Sequence, residues 1–207
     1  MKYAYSDRSK YLGDPDFYEV PIKKITSKDY AKNILSNIKI GKATPANDIY
    51  PGKHFIKESH ETTHFSVADK SGNVVSMTYT LNSTFGSKVV IKDTGILMNN
   101  EMDDFSAAPG IPNQFNLLGA EANQITPFKR PLSSMTPTIV LKDEELFFTT
   151  GSPGGSRIIS AVLQSILNII DFGMDLEEAT FAKRIHHQWY PDTVSYTHLT
   201  LPTIFRV

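Results

Sequence analysis

The sequence predicts an α+β fold in which two antiparallel hairpins are followed by helices that pack on them. Three stretches carry this expectation. Residues 62–68 and 74–81 alternate with the period of strands on either side of a turn at Asp69, Lys70, Ser71, Gly72 and Asn73. Residues 136–141 and 145–150 repeat the arrangement around Lys142, Asp143 and Glu144. Ile158, Ile159, Val162, Leu163, Ile166, Ile169 and Ile170 then lay a wide apolar face along one helix. Hairpins first and helices after is the order of a helix layer on antiparallel sheet.

Composition sets the outer bounds. At 207 residues the chain is long enough for one domain with a sizeable core. A formal net charge of −1 gives no attraction to a polyanion, so no nucleic-acid partner is expected. No apolar run approaches the ~20 residues that cross a bilayer. Without cysteine there are no disulfides and no thiolate metal sites. The first residues, Met1 to Ser6, are polar and unlike a cleavable leader.

Taken in order, residues 1–25 are rich in turn formers, with the clearest break at Gly13, Asp14, Pro15 and Asp16. Thr26 and Ser27 resemble a helix cap, and Tyr30, Ile34, Leu35 and Ile38 form the stripe behind it. Residues 41–61 read as an exposed linker dotted with Pro and Gly, the kind of segment where a cut chain end could form. The hairpin centred on Ser71 places Thr62 opposite Thr80, so their side chains share a face. A one-residue slip would undo that pairing, and a plain Thr–Thr surface pair is the simpler reading of it. Residues 95–100 suggest a short strand. Residues 107–130 form a long, weakly periodic stretch of the sort that serves as a lid or binding loop. Gly173 is placed to end the long helix, and Asp175 to cap the next, with Glu177 and Glu178 in its first turn.

Several short stretches could carry chemistry. Gly151, Ser152, Pro153, Gly154, Gly155 and Ser156 lie between a strand and a helix start, where unpaired backbone N–H groups suit an anion or a developing oxyanion. The stretch lacks the lysine of a P-loop, and a tight glycine turn needed only for packing explains it equally. Ser133 and Ser134 put two adjacent hydroxyls before a strand, a turn or cap in the plain reading. Glu101, Asp103 and Asp104 make either a solvated acidic loop or a seat for an ammonium group. The adjacent His186 and His187 are poorly spaced for one metal, so no metal and no cofactor are expected. Trp189 and Tyr190 read as packing residues.

Five motifs together resemble the gamma-glutamyltransferase (gamma-glutamyltranspeptidase) family. They are Thr62 to Val67, Thr78 to Asn82, Asn99 to Phe105, Lys129 to Met135 and Gly151 to Arg157, in the family's order and spacing. The resemblance implies an N-terminal nucleophile hydrolase with a four-layer αββα fold, incomplete here. It implies a precursor that cleaves itself at the Glu61–Thr62 bond. Residues 1–61 would then end a large subunit, and residues 62–192 would form most of a small catalytic subunit, the two staying together as a heterodimer. By the same resemblance Thr62 is the nucleophile and its freed α-amine the base. Thr80 hydrogen-bonds the nucleophile, and the N–H groups of Gly154 and Gly155 form the oxyanion hole. Asn82, Glu101 and Asp104 hold the substrate α-ammonium, Ser133 and Ser134 its α-carboxylate, and Phe115 belongs to a lid over the pocket. The implied reaction moves a γ-glutamyl group from glutathione or another γ-glutamyl amide to water, an amino acid or a peptide. The implied location is the periplasm or outside the cell.

Two departures from the family pattern shape the expectation. The arginine that grips the substrate carboxylate in the family falls outside this chain. The likeness stops after Asp192, leaving residues 193–207 as a divergent tail, foreign to the family pattern. An isolated 207-residue chain is therefore expected to be inactive. Rival readings are a related acylase or γ-polyglutamate hydrolase on the same scaffold, and an inactive subunit partner.

Overall fold

The computed structural model describes residues 1–49 and 62–197. Four helices come first: α1 (Lys2–Tyr11), α2 (Ile22–Ile25), α3 (Lys28–Asn37) and α4 (Ala46–Ile49). The helix α1 departs from the turn-rich expectation. Its charges, including Lys2, Asp7, Arg8 and Lys10, leave it without an apolar stripe, and it is fastened by distant partners instead. Tyr5 is buried and its hydroxyl donates to the Ser156 carbonyl at 2.7 Å. The cap of α3 forms as expected, with the Tyr30 N–H donating to Ser27 Oγ at 3.1 Å.

The expected linker is also partly ordered. Ala46 is buried, its N–H donates to Asp192 at 2.8 Å, and its carbonyl accepts from the Trp189 indole at 3.0 Å. Residues 50–61 of that linker, including Glu61, lie outside the described residues.

Strands β1 (Thr62–Ala68) and β2 (Val74–Thr80) pair antiparallel in the expected register, Thr62 opposite Thr80. Asp69 sets that register. Its carboxylate accepts from the N–H groups of Ser71 and Asn73 at 2.8 and 2.9 Å, and Gly72 takes a φ of +84°. Strands β3 (Thr138–Lys142) and β4 (Glu145–Thr150) form the second hairpin, with an irregularity between Val140 and Leu141. Asp143 and Glu144 turn it with φ of +53° and +68°.

The second hairpin lies on the polar face of the first. Ser66 Oγ meets Thr149 Oγ1 at 3.2 Å, and Ser76 Oγ donates toward the Thr138 and Thr150 carbonyls, each at 3.4 Å. Gly151 presses on the His64 ring so closely that a Cβ there would overlap it. The long helix α5 (Ile158–Ile170) packs behind β4, with Phe148, Ile158 and Val162 buried. Hairpin, hairpin and helix are three of the four expected layers. The opposite face of the first hairpin, with Phe65, Val67, Val75, Met77 and Tyr79, is exposed among the described residues.

After α5 the chain turns through Gly173 (φ +67°), three residues beyond the helix end at Ile170. Asp175 then caps α6 (Leu176–Phe181) with a complete capping box shared with Glu178. Strands β5 (Arg184–His186) and β6 (Ser195–Thr197) form a last short pair, so the described part of the tail pairs with the chain before it. Residues 95–100 do not make the expected strand. Only the bridge from Val90 to Leu97 forms there, around a turn in which Asp93 and Gly95 take positive φ.

A buried cluster joins the two ends of the chain: Tyr5 and Ala46 pack with Phe115, Leu117, Leu118, Trp189 and Tyr190. The packing expected of Trp189 and Tyr190 is realised there.

Candidate active site

The pairing of β1 with β2 brings two hydroxyls to the open end of the hairpin, with Thr62 Oγ1 donating toward Thr80 Oγ1 at 3.4 Å. Thr80 Oγ1 also accepts from the Asn82 N–H at 2.8 Å, which orients it. Asn82 sits at φ +75°, in the left-handed region that Asn tolerates better than most residues. Its buried amide donates to the Asn100 carbonyl at 3.1 Å. That contact ties the end of β2 to the 3-10 turn Glu101–Asp104.

One cleft collects nearly all of the expected residues. Thr62, Thr80, Asn82, Glu101, Asp104, Phe115, Ser133, Ser134 and Gly155 line it, together with Met135 and Ile158. These positions come from separate parts of the sequence, so their convergence is a product of the fold. Gly154 is not among the lining residues. With φ of +130° at Gly154 and +54° at Gly155, the backbone turns sharply into the 3-10 start of α5. A side chain at either position would be strained. Glu61, the other half of the expected cleavage site, is outside the described residues.

The acidic side of the cleft is electrostatically stressed. Burial, then the neighbouring Glu101 charge, pushes the Asp104 carboxyl up to about 7. Glu101 is also raised, chiefly by burial. Two carboxylates held this close favour a cation between them. Asp103 is engaged elsewhere. Its Oδ2 accepts from the Gln114 N–H at 2.9 Å and so tethers the segment that carries Phe115. The other side of that segment is held by Gln188, whose amide donates to the Phe115 carbonyl at 2.9 Å. Phe115 is thus buried against the core while its ring edges the cleft.

The sequence gives no sign of one further residue. Arg8 of α1 reaches across, and its Nη2 donates to Ser134 Oγ at 3.1 Å and toward the Leu132 carbonyl at 3.5 Å. A second small cavity, beside the cleft, is lined by both Arg8 and Asp104. Nothing local marks Arg8 out from the other charges of α1, since its partner lies 126 residues away. Among the described residues no three His, Asp or Glu side chains gather as metal ligands would.

A threonine at the start of β1, a hydroxyl partner opposite it and a glycine turn leading into α5 fit the expected class, an N-terminal nucleophile hydrolase of α+β architecture, and the comparisons bear that class out. The gamma-glutamyltranspeptidase profile matches residues 1–203. The chain is 59% identical over 191 residues to the glutathione hydrolase proenzyme of Escherichia coli (strain K12), covering 92% of this chain and 33% of that protein. A crystal structure of the Helicobacter pylori gamma-glutamyltranspeptidase T380A mutant superposes with a TM-score of 0.62 at 57% identity, over 64% of this chain and 71% of that one. The chain also covers 98% of a putative inactive glutathione hydrolase 4 of Arabidopsis thaliana, at 43% identity over 190 residues and 89% of this chain.

The chain belongs to the gamma-glutamyltranspeptidase family. It spans about a third of the length of the Escherichia coli relative.

Proposed function

We propose that this stretch carries the acyl-transfer site of a γ-glutamyltransferase that acts on glutathione and related γ-glutamyl amides. The carrying observation is the Thr62–Thr80 pair at the mouth of a cleft that also gathers Asn82, Glu101, Asp104, Ser133, Ser134 and Gly155. The name of the Escherichia coli relative, glutathione hydrolase proenzyme, supports the same substrate and a precursor.

The chemistry follows from these groups. A threonine hydroxyl is a weak nucleophile and needs a base. Scission of the Glu61–Thr62 bond would free the Thr62 α-amine, whose ordinary pKa near 8 suits it to take the Oγ proton. Oγ then bonds to the γ-carbonyl carbon while the N–H groups of Gly154 and Gly155 receive the charge on its oxygen. As the tetrahedral centre collapses, the C–N bond breaks and the amine proton passes to the leaving nitrogen. The resulting ester is cleaved by water or by the amine of an amino acid or peptide. Asn82, Glu101 and Asp104 would hold the donor α-ammonium, and Ser133 and Ser134 the α-carboxylate.

In a proenzyme of the relatives' full length carrying this stretch, Thr62→Ala should abolish both the split into two subunits and turnover of a γ-glutamyl anilide. Two subunits on a gel from that variant would sink the assignment. The resemblance also points to a periplasmic or secreted enzyme, which cell fractionation reads directly.

A second reading is an inactive chain, favoured by the Arabidopsis relative, 43% identical, that is named as putatively inactive. N-terminal sequencing for a free Thr62 amine and a burst of released product separate the two. Comparing γ-glutamyl with plain acyl anilides separates a transferase from an acylase.

A further inference from the structure

We propose that Arg8 is a positioning residue of the donor site, holding Ser134 by hydrogen bond and supplying the positive charge that faces Asp104 across the cavity beside the cleft. The inference rests on the reading of the cleft as a γ-glutamyl site. It adds that a residue from ahead of the Glu61–Thr62 bond shapes the pocket behind it.

The geometry is specific. Arg8 Nη2 donates to Ser134 Oγ at 3.1 Å and toward the Leu132 carbonyl at 3.5 Å, so one guanidinium nitrogen spans the stretch that carries the two serines. A serine hydroxyl whose oxygen accepts from a cation has its proton turned outward, ready to donate to a carboxylate. The same arginine lines cavities on both sides: one shared with Asp104, Asn123 and Leu132, the other with Ser133, Tyr5 and Leu132. It therefore stands behind both halves of an amino-acid head group, the carboxylate end at the serines and the ammonium end at Asp104.

Charge gives this position its consequence. Glu101 and Asp103 work against the Asp104 charge, and Arg8 is the group that favours it. Arg8 is itself opposed by burial and supported by Tyr5 and Asp104. Removing the guanidinium would raise the Asp104 carboxyl further, so the ammonium seat would stay neutral to higher pH. A lysine keeps the charge but is a flexible point donor, without the planar fork that fixes direction.

The test uses a full-length proenzyme carrying this stretch, with a γ-glutamyl anilide as donor. Arg8→Met should still yield two subunits, with KM raised about tenfold or more, the size of a lost charged hydrogen bond. The acid limb of kcat/KM should move to higher pH. Arg8→Lys should return the acid limb toward its original place while KM stays raised. In a Ser134→Ala background, Arg8→Met should add much less to KM than it does alone.

A cleaved Arg8→Met enzyme with unchanged KM and pH profile overturns the inference, as does full additivity with Ser134→Ala. If Arg8→Met fails to fold, Arg8→Lys decides, and a wild-type KM there overturns it. Wild-type enzyme that turns over no γ-glutamyl anilide overturns the site reading and this inference together. An active wild type with an indifferent Arg8 overturns the inference alone.

Discussion

Asp104 holds two opposed demands in one side chain. Burial and the Glu101 charge raise its carboxyl to about 7, well above the ordinary value of 3.8. A carboxyl raised on folding stabilises the fold while it is protonated. That contribution is present in full below the unfolded value and is lost as pH climbs through the folded one. In the proposed role of Asp104, binding an ammonium needs the ionised form, so recognition should improve as pH rises through the folded value while stability has fallen. Asp104→Asn should therefore melt higher than the parent at pH 8, by calorimetry, while its KM for a γ-glutamyl donor rises steeply at that pH. Equal melting temperatures at pH 8 would show that the charge carries no strain. Asp14 has the opposite sign: the Arg130 guanidinium bonds it from both Nε and Nη2 and holds its carboxyl far below the usual range. Its contribution is present above the unfolded value and fades only in strong acid. Arg130→Met should consequently lower the melting temperature at pH 7 and have progressively less effect as pH falls below the ordinary carboxylate range.

Single elements follow rules of different reach, and this decides what can be read from sequence. The hairpin of β1 and β2 obeys short-range chemistry: an Asp69 carboxylate, a glycine with positive φ and strict alternation. The Thr62–Thr80 opposition is therefore legible, and so is the Asp175 cap of α6. The helix α1 is not, because no apolar stripe runs along it and several of its fastenings, to Ser156, Ser134 and Asp192, lie more than a hundred residues away. For the same reason Arg8 passes for one more surface charge. The expected strand at 95–100 is reduced to one bridge, Val90 to Leu97. At this scale α5 joins packing to chemistry, because Ile158 is buried in the core and also lines the cleft next to Gly155. Ile158→Ala should cost about 2–5 kcal/mol by denaturant titration and should weaken turnover in a proenzyme that still cleaves. Asp175→Ala, remote from the cleft, should cost about 1 kcal/mol and leave turnover intact.

Across the molecule, the segment ahead of residue 50 and the part from Thr62 onward share one interior. Tyr5 and Ala46 complete the cluster around Phe115, Trp189 and Tyr190. Lys2 pairs with Asp192, and Asp14 with Arg130, across the same boundary. The face of Phe65, Val67, Val75, Met77 and Tyr79 stays exposed among the described residues. The long-range contacts explain why the family is readable from five short motifs while the way its two parts grip each other is not. Motifs record local chemistry, whereas the grip depends on pairs far apart in sequence. The shared interior also gives maturation a direction. An uncut polypeptide can assemble that interior as a single chain, and the proposed cut before Thr62 falls outside the described contacts that unite its pieces. Halves synthesised apart would each begin life lacking aromatic neighbours that only the other possesses, and should reconstitute poorly from separate denatured stocks. If the proposed scission occurs, it should therefore follow folding, once Tyr5 and Ala46 have joined the cluster.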